Sequence, residues 1–315
     1  MRRISTLSVL CLAAGVMSAC SLPDEIIPTE NIPTAGVRFI NAVPDTIMAD
    51  MRFVDIVESN AHFRIGFRAN PVTANGVPAS TQVQYKNARA GMSRHFRVFV
   101  DDTLQANASH VFLDTTFTPT AGSNYTVMMW GNSFSSGADK MHFSIWEDAP
   151  TDPAANVAIR VINATNAVIN ARQYLSTGTA PVAATWAAIP AYGCIGACGA
   201  AGNWVTVAPT TGAQTIKVNV RDAGDVTALS GLGTDASALI GSVATASTVG
   251  GLLDIPALPG TAAAGSAITA IVYPPSVVGS KAVQFATAGT SFGIAFVWDR
   301  RPPTGCGTGS SGVVC

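Results

Sequence analysis

The side chains able to do chemistry in this 315-residue sequence fall into a few short stretches. Gly289-Thr290-Ser291-Phe292-Gly293 has the Gly-x-Ser-x-Gly spacing of a hydrolase nucleophile elbow, where a sharp strand-to-helix turn presents a serine to a histidine base. Here residues 294–298 alternate as a strand and no histidine follows His142, so the elbow lacks its helix and any base from its own half of the chain. Gly231-Leu232-Gly233-Thr234-Asp235-Ala236, with Asp254 downstream, has the glycine spacing of a dinucleotide fingerprint. That fingerprint acts only inside a strand–turn–helix unit, and the preceding residues 222–230 are polar. We read 222–259 as an Ala/Gly/Ser/Thr-rich insertion with one short helix at 236–246. His62, His95, His110 and His142 form no i, i+4 pair on a helix and read as edge or exposed residues. Asp101-Asp102 and Asp222-Ala223-Gly224-Asp225 lack the spacing of a calcium loop and suit turns instead. No catalytic, cofactor-binding or metal-ligating set is assigned, and no cofactor is expected.

The cysteines carry a clearer message. Met1-Arg2-Arg3, the apolar stretch 4–16 and the small residues up to Cys20 make a signal peptide, too short to span a bilayer, which takes about 20 apolar residues. Met17-Ser18-Ala19-Cys20 resembles the bacterial lipobox, in which the cysteine thiol becomes a thioether to diacylglycerol and acylation of the new N-terminus adds a second anchor. Ser21 follows in place of the Asp that retains lipoproteins in the inner membrane, so an outer-membrane destination, facing the periplasm or the surface, is expected. Removing 1–19 takes away Arg2 and Arg3 and no acid, which moves the formal charge from −1 to −3. Residues 20–35 then read as a lipidated Cys20 and a Pro-rich, acidic tether. Four cysteines are left, Cys194, Cys198, Cys306 and Cys315, with three ways of pairing. The local pairs, Cys194 with Cys198 and Cys306 with Cys315, are favoured because each bounds a Gly-rich loop in an exported, oxidising setting.

Composition says what these residues sit on. Only 12% of the chain is charged and 48% is apolar, with a formal charge of −1 and 29 Gly. A disordered chain needs the opposite balance. A nucleic-acid partner is excluded by the missing basic footprint. From 36 to 149, short alternating runs separated by turn signals read as strands, at 37–40, 51–57, 62–67, 81–85, 96–100, 125–130 and 141–146. In the last of these, Met141, Phe143 and Ile145 share one face and His142, Ser144 and Trp146 the other. If that second face is solvent, Trp130 and Trp146 form an exposed apolar contact patch. Two prolines at 150–154 make a linker, and the pattern restarts, with strands at 159–164, 204–207, 215–220, 267–273, 282–287 and 292–298 and a Cys/Gly-rich tail at 301–315.

The restart is a repeat. Val37-Arg38-Phe39-Ile40-Asn41-Ala42 matches Ile159-Arg160-Val161-Ile162-Asn163-Ala164, with Arg, Ile, Asn and Ala identical. The closing strands correspond as well, 141–148 with 292–299, each ending in an acid. Strands at this spacing predict an all-β fold of tandem antiparallel β-sandwiches, one over 36–149 and one with insertions over 155–300. Arg-x-Ile-Asn-Ala, the strand Gly122-Ser123-Asn124-Tyr125-Thr126-Val127, the stretch 207–218 and the closing apolar strand resemble the bacterial family called domain of unknown function 4397. That resemblance implies immunoglobulin-like sandwiches, often in tandem, in exported or lipid-anchored proteins. It implies no activity.

The function expected from the sequence is a non-catalytic, lipid-anchored envelope module that binds or spaces. Its partners would be the membrane, through the anchor, and an envelope protein or polysaccharide. The competing expectation is a carbohydrate-active or hydrolytic enzyme with an inter-domain site.

Overall fold

The computed structural model describes residues 32–46, 48–55, 63–67, 85–101, 104–150, 152–179, 181–211, 214–222, 237–240, 247–249, 252–255, 261, 264–280 and 292–300. Residues 34–315 cluster as one compact unit. The protein is all-β, as its composition and turn spacing led us to expect.

The first half holds strands β1 (Thr34–Asn41), β2 (Ala49–Phe53), β3 (Phe63–Ile65), β4 (Lys86–Arg89), β5 (Arg94–Val100), β6 (Val111–Phe117), β7 (Asn124–Trp130) and β8 (His142–Asp148). They form two sheets, ordered β4-β1-β7-β8 and β3-β2-β5-β6. The second half holds β9 (Val157–Asn163), β10 (Ile169–Leu175), β11 (Trp186–Ile189), β12 (Val205–Val207), β13 (Ile216–Asp222), β14 (Ser237–Ile240), β15 (Ser247–Val249), β16 (Leu252–Ile255), β17 (Ala267–Tyr273) and β18 (Gly293–Arg300). Its sheets run β12-β9-β17-β18 and β11-β10-β13-β14. The two orders are the same once each strand is matched to its counterpart, with the β15-β16 hairpin as an insertion. The repeat is therefore a repeat of topology as well as of motif.

Three details differ from the expectation. Each half contains one parallel pair, β1 with β7 and β9 with β17, so the sheets are mixed rather than wholly antiparallel. The segment expected to be helical from 236 instead enters β14, which pairs with β13 from Ser237 to Ile240. Helix propensity in Ala and Leu is a weak preference that pairing to an existing strand overrides. Tyr85, expected as the last residue of a strand at 81–85, instead precedes β4, and 81–84 lie outside the described residues. So does the strand expected at 282–287.

Among the described residues, alternation along the strands builds three large cores, beside a small cluster of Ala158, Trp204 and Ala267. Val37, Phe39, Val127, Met129, Phe143 and Ile145 of the first sheet meet Met51, Phe96 and Val98 of the second inside the first half. Ile159, Val161, Ile268, Ala270 and Phe296 meet Ile169, Val218 and Val220 in the same way inside the second half. The third core lies between the halves, where Ile40, Ala42, Met128 and Trp130 pack with Ile162, Ala164, Ile271, Tyr273 and Val297. The outer faces of β4-β1-β7-β8 and β12-β9-β17-β18 therefore face each other. That is why β1, β9 and β17 are buried on both faces along nearly their whole length. Each fully buried Val, Leu, Ile or Phe adds about 1.5–3 kcal/mol relative to an exposed one. Among the described residues no helix is long and apolar enough to cross a membrane.

Candidate functional site

The two copies of the Arg-x-Ile-Asn-Ala motif meet in this third core. Alternation sends Phe39 and Val161 into their own sandwiches and turns Arg38 and Arg160 toward the other half. All four ionic side chains of the resulting cluster, Arg38, Arg160, Asp148 and Asp299, have zero side-chain exposure. Parallel pairing sets Thr126 beside Arg38 and Thr269 beside Arg160. Arg38 Nε donates to Thr126 Oγ1 at 2.8 Å and Arg160 Nε to Thr269 Oγ1 at 2.7 Å. Each threonine hydroxyl donates in turn to the aspartate that closes its half: Thr126 to Asp148 Oδ2, and Thr269 to Asp299 Oδ2 at 2.6 Å.

The guanidinium tips then cross the seam. Arg38 Nη2 donates to Asp299 Oδ1 at 2.5 Å, and Arg160 Nη2 donates to Asp148 Oδ1 and, at 3.0 Å, to Asp299 Oδ1. Arg38 also lies 3.5 Å from Asp148. The exchange is the intramolecular form of a two-fold interface, in which each side contributes the same residues to the other. Even the flanking rings correspond. Tyr85, just before β4, lies 4.5 Å under the Arg38 guanidinium, and Trp204, just before β12, lies 4.5 Å under that of Arg160. Symmetry ends there: the Tyr85 hydroxyl donates to Asp148 Oδ2 at 2.7 Å, whereas Trp204 Nε1 finds no partner among the described residues. The motif asparagines finish the pattern, since Asn41 Oδ1 accepts from Val43 N and Asn163 Oδ1 from Thr165 N, turning the chain at the end of each first strand.

Two positive and two negative charges cancel, which is what burial demands. Burial pushes the Asp148 carboxyl up, but Arg38 and Arg160, with the Thr126 and Tyr85 hydroxyls, more than offset it and hold the group below its ordinary value. Burial lifts Tyr85 well above an ordinary tyrosine, Arg38 opposing and the two aspartates reinforcing the rise. The signs give a pH window. Asp148 adds stability above the unfolded carboxylate value of about 4, and that stability is lost as pH falls through the lower folded value. Tyr85 adds stability below the unfolded tyrosine value of about 10, lost as pH rises toward the folded value. The urea midpoint should therefore be flat across neutral pH and fall on both sides. Tyr85→Phe should make the alkaline fall shallower and, because Arg38, Arg160 and Thr126 each hold Asp148 down more than the Tyr85 hydroxyl does, change the acid fall much less. Tyr192, lifted by burial and by Asp139, supplies part of what remains. An alkaline limb identical in Tyr85→Phe and wild type would refute the assignment.

The structure also places the residues singled out in the sequence. Cys194 and Cys198 are joined in a disulfide. Their loop seals one end of the seam: Cys198 O accepts from Arg160 Nη1 at 2.5 Å, and Gly199 lies so close to the Glu147 carbonyl that a Cβ there would collide with it. Cys20, Cys306, Cys315, Ser291, the 231–236 glycine stretch and Asp254's side chain lie outside what is described. Gly293 opens β18, a strand, where an elbow needs a helix. Trp130 and Trp146 do come together, 6.0 Å between centroids, but not as an exposed patch. Trp130 is only 2% exposed and packs in the third core, because the second half covers the face that alternation set opposite Phe143 and Ile145. Trp146 Nε1 donates to Asp148 Oδ1 at 2.9 Å, so it belongs to the charge cluster. Among the described residues no three His, Cys, Asp or Glu side chains converge as a metal site would require.

A second feature lies at one end of the seam. A cleft of about 630 Å³ is lined by Asp45, Thr46, His110, Ser133, Phe134 and Ser280, among others. Nothing in the sequence patterning had singled it out, because its walls come from three separate turns and from the second half.

Residues 35–170 match the model of a family described as Domain of unknown function (DUF4397). That stretch is similar to this family. In DUF4397 terms, the match covers the first sandwich and runs through β9, so it takes in both Arg-x-Ile-Asn-Ala copies. The shared strand order carries the likeness onward through β17 and β18. None of the curated proteins compared with the chain matches it.

Proposed function

We propose that this protein is a non-catalytic, lipid-anchored envelope protein whose two sandwiches work as a single binding or spacing module. The observation that carries this reading is the seam itself. Its four ionic side chains are closed to solvent and each is matched by opposite charge and by a threonine, tyrosine or tryptophan partner. Groups so enclosed and saturated join the halves and are closed to any substrate. The N-terminal pattern ending in Met17-Ser18-Ala19-Cys20 supports the anchor, and Ser21 supports the outer membrane. An envelope protein or polysaccharide is the partner class that suits such a location.

The anchor is tested by growing cells that express the full sequence with labelled palmitate. Label should enter the mature protein, and Cys20→Ser should abolish labelling and move the protein out of the membrane fraction. A wild-type protein that stays unlabelled and soluble would dismiss the anchored reading.

A further inference from the structure

The cleft at the end of the seam has the makings of a ligand site, and it rests on the binding-module reading above. One wall is the turn after β1. Asp45, 5% exposed, accepts from Ser133 N at 2.9 Å, from Ser133 Oγ at 2.7 Å and from Phe134 N at 3.3 Å. Gly131, at φ 85° with the Asp139 and Lys140 backbone against it, turns the chain out of β7 into this loop. The loop is thus pinned at its base while the Phe134 ring stands 90% exposed at the rim. An aromatic ring held out in water gains nothing for the fold.

The opposite wall is the helical turn Gln105–Ala108 and the start of β6, which bring Asn107, His110 and Phe112 to the cleft. The floor adds Thr46, 5% exposed, whose Oγ1 finds no hydrogen-bond partner among the described residues. The second half closes the remaining side, since Val277 N donates to Pro44 O at 3.0 Å and places Ser280 at the rim. The volume falls in the range of small-molecule sites, about 300–1,000 Å³.

We infer that this cleft binds a neutral saccharide. Asp45 is the one carboxylate among the residues lining it, and both its oxygens are occupied by Ser133 and Phe134. Among the described residues no Lys or Arg lines the cleft, so an anion would meet only the like charge of Asp45 and pay its desolvation in full, while a cation could reach the Asp45 oxygens only by displacing the bonds from Ser133 and Phe134. What the walls do offer is hydroxyl, amide and imidazole groups, which donate and accept alike, beside the apolar faces of Phe112, Met141 and Phe134. A pyranose needs that combination: hydroxyls that do both at its edge and a C–H face to lay on a ring.

The test is isothermal titration of the full purified chain with N-acetylchitotetraose, cellotetraose and maltotetraose, with 3′-sialyllactose and a neutral hexapeptide as contrasts. At least one neutral tetrasaccharide should bind with Kd near or below about 1 mM. Phe134→Ala should weaken it by about tenfold, as loss of an aromatic anchor does, without shifting the unfolding midpoint. Val182→Ala, at an equally exposed apolar position, should change neither. Thr46→Val should weaken binding while leaving stability level or raised, because the hydroxyl it removes is unpartnered; a purely structural threonine would give the reverse. The assignment is overturned by no saccharide binding, by binding that ignores both variants, or by tighter binding of sialyllactose or the peptide. Shortening of a bound tetrasaccharide would instead overturn the non-catalytic reading and leave the cleft as its site.

Discussion

Asp299→Ala should lower the stability of the whole unit by about 3–5 kcal/mol, the cost of removing one partner from a buried ion pair. Asp299 accepts from Arg38, Arg160, Thr269 and, at 3.3 Å, the Tyr85 hydroxyl, so its loss strips partners on both sides of the seam at once. Two guanidinium groups would be left with one carboxylate, and a net positive charge would remain where no water reaches it. Asp152, which pairs with Arg300 in the open, is the control, and Asp152→Ala should leave the urea midpoint where it was. The informative contrast replaces all four charges together, as Arg38→Met, Arg160→Met, Asp148→Leu and Asp299→Leu. Because desolvation of buried ions offsets most of their attraction, that chain should lose less than Asp299→Ala does, and the loss that remains should come from the Thr126, Thr269, Tyr85 and Trp146 donors left without acceptors. Urea unfolding measured on both chains decides the matter. A small loss in Asp299→Ala would mean that the seam opens to water, and a loss in the fourfold variant as large as that expected of Asp299→Ala would mean that the ionic contacts themselves carry the stability.

Much of this cluster was visible in the sequence as pattern, and none of it as contact. The repeated Arg-x-Ile-Asn-Ala and the acid closing each half named Arg38, Arg160, Asp148 and Asp299 without joining them, since Arg38 and Asp299 are 261 positions apart. Their meeting depends on which face of each inner sheet is covered. Period-two alternation shows that a strand has two faces but not whether the polar-looking one meets water or another sheet. The face carrying His142, Ser144 and Trp146 reads as the solvent side of a simple sandwich, and it is the second half that covers it.

Missed strands have equally concrete causes. β10 reads Ile169-Asn170-Ala171-Arg172-Gln173-Tyr174-Leu175, and its polar residues mask a central position in the sheet. Asn170 and Arg172 are nonetheless buried, because Asn170 Oδ1 accepts from Ala188 N and Arg172 donates to Val182 O. Such backbone partners, one in β11 and one in the loop before it, are ones that no period predicts. The parallel pairs were hidden for a related reason: β1 and β7 are the central neighbours of their sheet although five strands separate them in the sequence, and adjacency in the sequence says nothing of it.

The two readings of Trp130 differ enough in energy for a single substitution to choose between them. On an exposed contact patch, Trp130→Ala would change stability by no more than about 0.5 kcal/mol. In the third core it should cost about 3–5 kcal/mol, the transfer of a large ring plus the cavity it leaves among Met128, Trp146 and the second half. One detail sets where in that range the value falls. Trp130 Nε1 is buried and has no partner among the described residues, so the substitution also removes an unsatisfied donor, which returns about 1–3 kcal/mol. The lower end is therefore expected, and Trp130→Phe, which keeps an aromatic ring and drops the donor, should be nearly neutral. Amide hydrogen exchange along β13, whose Val218 and Val220 lie deep in the second half's own core, should speed up in Trp130→Ala together with exchange along β7, since the ring lies in the core that both halves build. A second half that exchanges at its wild-type rate in Trp130→Ala would show the seam to be a contact between two independent bodies.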